Sequence, residues 1–156
     1  MIPLSLDSLY DYLTSQSIDV KRQIETDQLY VLFKVQDQEF PVFLRSIDDG
    51  ELIQLLAFIP ISLESKTIPE VARLLHLFNK EIDIPGFGMD EKAKVVFYRV
   101  VLPAIEGQVS GEIIGGYINS IKVITETFFP VIAAVVSGTA TFSEIVKKAN
   151  EMDADR

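Results

Sequence analysis

The stretch VVFYRVVLP, Val95 to Pro103, limits what this chain can fold into more than any other segment. Side chains alternate between the two faces of a strand, so Val95, Phe97 and Val101 fall on one side and Val96, Tyr98, Val100 and Leu102 on the other. Both sides are apolar, and only Arg99 interrupts them. Such a strand is either covered by helices on both sides or covered by another subunit. Arg99 must reach the sheet rim or meet an acceptor, because an unpaired buried charge is very costly. Its ordinary role is a snorkelling or locally paired side chain; its functional one is an anchor for a ligand or an interface.

Elsewhere the hydrophobic period switches between helix and strand values. Ser5 precedes Leu6, Leu9, Tyr10 and Leu13, whose spacing predicts a short amphipathic helix ending near Ser17. In Gln28–Gln36 the period is two, with Leu29, Val31, Phe33 and Val35 on one face. A turn at Asp37-Gln38 leads to a partner strand in which Phe40, Val42 and Leu44 point inward, and Pro41, lacking an amide donor, should face an edge or a bulge. Asp48-Asp49-Gly50 supplies another turn before Glu51–Ser62, a strand apolar on both sides and irregular at Pro60. Thr67 and Glu70 read as a capping box for a helix running to about Glu81, with Val71, Leu74, Leu75, Phe78 and Ile82 inward and Arg73, His76, Lys80 and Asp83 outward. A long helical pattern covers Gly111–Ser137; Pro130 should kink or interrupt it and Gly138 end it. Thr141 and Glu144 make a second capping box for a short polar helix. The expected fold is α+β: one domain over residues 1–156, an antiparallel twisted sheet of about five strands with helices packed against it, in the order α-β-β-β(β)-α-β-β-α-α.

Composition removes several classes of function. The 156 residues, 48% of them hydrophobic, suit one core. Without cysteine there is no disulfide, thiolate metal site or cysteine nucleophile. Fourteen Lys and Arg against 23 Asp and Glu leave a net charge of -9, which repels phosphate backbones and argues against nucleic-acid or anionic-membrane partners. The most apolar run, Phe128–Val136, is too short for a bilayer, which needs about 18–20 residues. The N-terminus has no basic region ahead of an apolar core and carries Asp7 and Asp11, so no signal peptide is expected and the protein should remain in the cytoplasm.

Candidate chemistry is sparse. PGFG at Pro85–Gly88 resembles a phosphate cradle, but a cradle places its glycines between a strand and a helix N-terminus. Here a helix precedes, a strand follows, and Asp90 and Glu91 add negative charge, so the segment reads as a bend before a buried strand. His76, the only histidine, lies on the outward stripe near Arg73 and Lys80, a poor place for a metal or a cationic acid. Asp48-Asp49 and Asp90-Glu91 read as turn carboxylates, and the two VSG segments as helix boundaries. An enzyme reading would need Arg99, Asp90 and Glu91 to meet in one cleft. A small-ligand reading would need an apolar cavity under the long C-terminal helix.

The run VARLLHLFNKEIDIPGFGMDEKAKVVFYRVVLP, Val71–Pro103, joins a helix ending in an asparagine, a proline-glycine bend, an acidic turn and a V-x-x-R-V-x-L strand. In that order it resembles the YbjN-like domain family, which is similar in fold to the type III secretion chaperones. The resemblance implies a small acidic α+β protein, a homodimer acting through protein contacts, with no catalytic, cofactor-binding or metal-binding residues and no cofactor. It points to Phe97, Arg99 and Val101, and to Tyr117, Ile121 and Phe128, as interface residues for an unidentified protein partner. The strongly apolar tail after Pro130 departs from the secretion chaperones and puts a secretion role in question. The expected function is therefore a non-enzymatic, chaperone-like module that binds a partner segment through apolar sheet and helix surface.

Overall fold

Helix α1 (Leu6–Ser15) begins where Ser5 accepts the Ser8 amide, and it buries Leu9 and Leu13 as its spacing requires. The computed structural model describes residues 1–84 and 86–156; Pro85, which opens the PGFG bend, lies outside them. After α1 come β2 (Val20–Gln23), β3 (Gln28–Val35), β4 (Gln38–Ile47) and β5 (Leu52–Ser62), then α2 (Ile68–Glu81). Next are β6 (Phe87–Asp90), β7 (Val95–Pro103), α3 (Gly111–Val136) and α4 (Phe142–Ala154). The strands named so far form one antiparallel sheet in the order β2-β3-β4-β5-β7-β6. Two short strands, β1 (Ile2–Pro3) and β8 (Gln108–Val109), pair separately and tie the N-terminus to the start of α3.

The alternation sets what faces inward. Leu29 and Val31 of β3, Val42 and Leu44 of β4, Ile53, Leu55 and Ala57 of β5 and Val96, Tyr98 and Val100 of β7 are buried on one face. Against it pack Leu9 and Leu13 of α1, Val71, Leu74, Leu75 and Phe78 of α2, and the stripe Ile114, Ile118, Ile121, Phe129 and Ile132 of α3, in a single core. By length and composition α3 could cross a bilayer, which the shorter run Phe128–Val136 could not. In this fold its buried stripe packs into the core against the sheet.

Some local expectations are corrected. Among the described residues the sheet has six strands: β2 was not foreseen because its VKRQ carries no alternation beyond Val20, and β6 was not placed because Phe87–Asp90 read as bend and acidic turn, whereas these residues pair with Val95–Tyr98. The hairpin turn falls on Gln36-Asp37, both in the left-handed region, rather than on Asp37-Gln38, since Val35 pairs with Gln38. The capping box at Thr67 does not form. A tight turn over Ser65–Thr67 leads straight into α2, and the Thr67 hydroxyl donates to the carbonyls of Glu64 and Val136 instead. The carboxylate of Glu70 accepts the Phe142 amide at 2.6 Å, at the start of α4. The Thr141-Glu144 box does form. Nor does Pro130 break α3, which runs unbroken from Gly111 to Val136. Pro130 and Glu126, whose carbonyl loses its donor, both lie on the exposed side, where water can replace the lost bond. Pro41 stands opposite Leu32 just beyond the β4–β5 ladder, which begins at Val42 and Ala57.

Candidate functional site

Among the described residues, helices cover only one face of the sheet. The outward positions of its central strands are Tyr30 and Leu32 on β3, Pro41 and Phe43 on β4, Leu56 and Phe58 on β5, and Phe97, Arg99 and Val101 on β7. Leu32 is 38% and Val101 41% exposed, and Tyr30, Phe43, Leu56, Phe58 and Phe97 are half-buried only by one another and by the sheet beneath. Tyr30, Phe43 and Phe58 form a ladder of rings with centroids 5.9 Å apart at each step. One end of the face is polar: Arg45 donates to the side-chain oxygen of the buried Gln54 at 3.0 Å, and Gln28 to that of Gln23 at 2.7 Å. Between them and Phe43, Leu56 and Phe58 lies a shallow depression of about 380 Å³.

Arg99 reaches solvent from β7, next to the edge strand β6, and lies with its guanidinium carbon 5.5 Å from the Phe97 ring centroid. Among the described residues no carboxylate stands within ion-pair distance of it. Phe97, Arg99 and Val101 are thus together on the open face. Tyr117, Ile121 and Phe128 are on α3, on the other side of the sheet. Ile121 has no exposed surface, and Phe128 packs on Phe78 and Phe87 with centroids 4.3 and 5.7 Å away.

The PGFG segment ties β6 to its neighbours. Asn79, near the end of α2, accepts the amides of Gly86 and Phe87 through its side-chain oxygen and donates to the Phe87 carbonyl at 2.8 Å. Arg99 donates its amide to the Gly86 carbonyl at 2.9 Å. A Cβ on Gly86 would fall 2.1 Å from the Arg99 carbonyl oxygen, and one on Gly88 2.6 Å from the Phe97 ring. The glycines are there so that β6 can lie against β7, with their amides used inside the protein. Behind them Tyr98 is wholly buried, donates to the Ile84 carbonyl, and has its phenol pushed up to about 12 by burial and by the neighbouring Tyr117.

The residues of the enzyme reading stay apart. Asp90 pairs with Val95 at the start of β7, four residues before Arg99, and its carboxylate accepts the Ala93 amide within its own turn. His76 is exposed on α2, and the described residues hold no group of three or more metal-ligating side chains. The space under α3 is filled by Ile114, Ile121 and Ile132, each no more than 1% exposed. An apolar recess of about 240 Å³ occurs instead at the rim, between Met1, Leu102, Ile105 and Ile113.

A six-stranded antiparallel sheet with its helices on one face defines an α+β protein of the type III secretion chaperone-like fold. The chain belongs to the YbjN family, whose profile, described as "Putative bacterial sensory transduction regulator", matches residues 5–134. One similar solved structure is that of YbjN from E. coli, called "a putative transcription regulator", with 13% identity over 82% of this chain and 94% of that one at a TM-score of 0.61. Another is the ExsC-ExsE complex, with 18% identity over 80% of this chain and 90% of that one at a TM-score of 0.54. No curated protein matches by sequence. Helix α4 lies beyond the residues the family profile covers.

Proposed function

We propose that this chain is a soluble, cytoplasmic, non-enzymatic module of chaperone type that acts as a homodimer and holds a segment of another protein on its open sheet face. The observation that carries this reading is the row of apolar side chains from Tyr30 to Val101, which none of its own helices covers. The complex formed by ExsC supports it as an example of this fold in a protein assembly. Phe97, Arg99 and Val101 are then contact residues, while Ile121 acts from within by holding α3 on the sheet. Exposed Ile113 and Val123, with half-buried Tyr117, leave apolar surface along α3 for the second copy.

A photo-crosslinking side chain placed at Val101, and separately at Lys147 of α4, tests the docking face in a lysate of the protein's own source. A discrete adduct from position 101 alone, lost when Phe97→Asp is added, is the expected result. Equal labelling from both positions would refute the reading. Sedimentation equilibrium tests the dimer: a mass twice 17.5 kDa is expected, and a monomer mass at micromolar concentration would remove it.

A further inference from the structure

Resting on that docking reading, we propose that the occupant of the sheet face is an apolar segment of an acidic partner, two of whose carboxylates pair with Arg45 and Arg99. The chain as a whole has nine more acidic than basic residues. The outward face of β3, β4, β5 and β7 reverses that balance, carrying Lys34, Arg45 and Arg99 against Glu39. Glu39 stands directly opposite Lys34 in the β3–β4 ladder, so that pair offset each other. Arg45 and Arg99 remain, and both are held by uncharged groups: Arg45 by the amide oxygen of Gln54, Arg99 over the ring of Phe97. Their charges are positioned but not neutralised, and no carboxylate among the described residues lies within ion-pair distance of either.

Register gives the spacing. Arg45, Gln54 and Val101 share one row across the sheet, and Phe43, Leu56 and Arg99 the next. Two strand separations and a two-residue step along the strand put the two arginine Cα atoms about 12 Å apart. An extended segment rises about 3.3 Å per residue, so its two carboxylates would stand about four residues apart. The residues between them cross Leu56, and one apolar side chain fits the depression beside Phe43 and Phe58.

Charge also decides against the other occupants. A second copy docked face to face through a twofold axis would set these cations against the same cations. A nucleic acid would meet aromatic rings and two arginines, but on a molecule whose net charge of -9 opposes its approach.

The test is selection of a random peptide display library on the full chain, followed by affinity measurement of the enriched peptides after synthesis. Enrichment of apolar peptides with two Asp or Glu about four residues apart is expected. Arg45→Glu and Arg99→Glu should each weaken them roughly three- to tenfold at low salt, the loss shrinking as salt rises. A peptide with the matching Glu changed to Lys should recover binding to Arg99→Glu. Both arginines and Val101 are exposed, so unchanged circular dichroism melting certifies each variant as folded. Peptides that lack acidic residues, bind less well to Val101→Asp and ignore both arginine changes would overturn the acidic occupant while leaving the docking face in place. Peptides indifferent to all three changes, or no enrichment at all, would overturn both. Binding of a labelled oligouridine that disappears with Arg99→Glu would replace the acidic segment by a nucleic acid.

Discussion

Tyr98 offers a test of the core behind the open sheet face. Its side chain has no exposed surface, its ring meets Phe87 edge-on with centroids 5.0 Å apart, and its hydroxyl donates to the Ile84 carbonyl. Burial first, and the Tyr117 phenol second, push its pKa from 10.0 to about 12. The fold therefore favours the protonated phenol, whereas the unfolded chain releases that proton near its ordinary value. Stability from this group is fully present below pH 10 and is lost as pH rises towards 12. Two pKa units at 1.36 kcal/mol each make the loss about 3 kcal/mol. Tyr98→Phe removes the titration and also the donor to Ile84, which costs about 1–3 kcal/mol at pH 8. Urea unfolding of both proteins, followed by circular dichroism from pH 8 to 12, reads the difference. The stability gap between wild type and variant should narrow through pH 10–12 and close or invert at the top. A gap constant from pH 9 to 12 would show a phenol that ionises in the folded state as it does in water, and would refute the account of Tyr98 as a sealed, bonded core group.

Two further substitutions probe other parts of the fold. Gly86→Ala would push a methyl to 2.1 Å from the Arg99 carbonyl oxygen and should cost about 2–4 kcal/mol in urea unfolding, whereas Gly116→Ala, in open space on α3, should gain about 0.5–1 kcal/mol; equal effects would show that β6 does not need its close approach to β7. Thr125 is wholly buried on α3 and its hydroxyl has no partner among the described residues, so Thr125→Val should raise stability by about 1 kcal/mol, and a loss of that size in thermal melts would mean that the hydroxyl is bonded after all.

Much of the site could be read from the chain because its information is local. The alternation in Val95–Leu102 assigned Phe97 and Val101 to one face and Tyr98 and Val100 to the other, and the structure keeps that division. The stripe Val71, Leu74, Leu75 and Phe78 and the Thr141-Glu144 box are equally local and equally visible. The misreadings have distant causes. Thr67 and Glu70 have the spacing of a capping box, but their side chains find better-placed partners at Val136 and Phe142, about seventy residues along the chain, and nothing near Thr67 announces either one. Asn79 was legible only as the end of a helix; its hold on Gly86 and Phe87 appears once β6 has folded back beside it. Arg99 and Arg45, far apart in sequence, become neighbours only because β5 lies between β4 and β7.

By itself, the sequence determined which residues share a face, because the periods of 2 and 3.6 are properties of a single element. It also made the strand Val95–Pro103 apolar on both sides. Only the tertiary structure decided that α1, α2 and α3 all lie on one of those sides, that β6 takes the edge beyond β7, and that the other face is left open around Arg99. Those outcomes depend on how many helices the sheet can hold and where each connection lets them land, a matter of contacts between distant segments that no local pattern records.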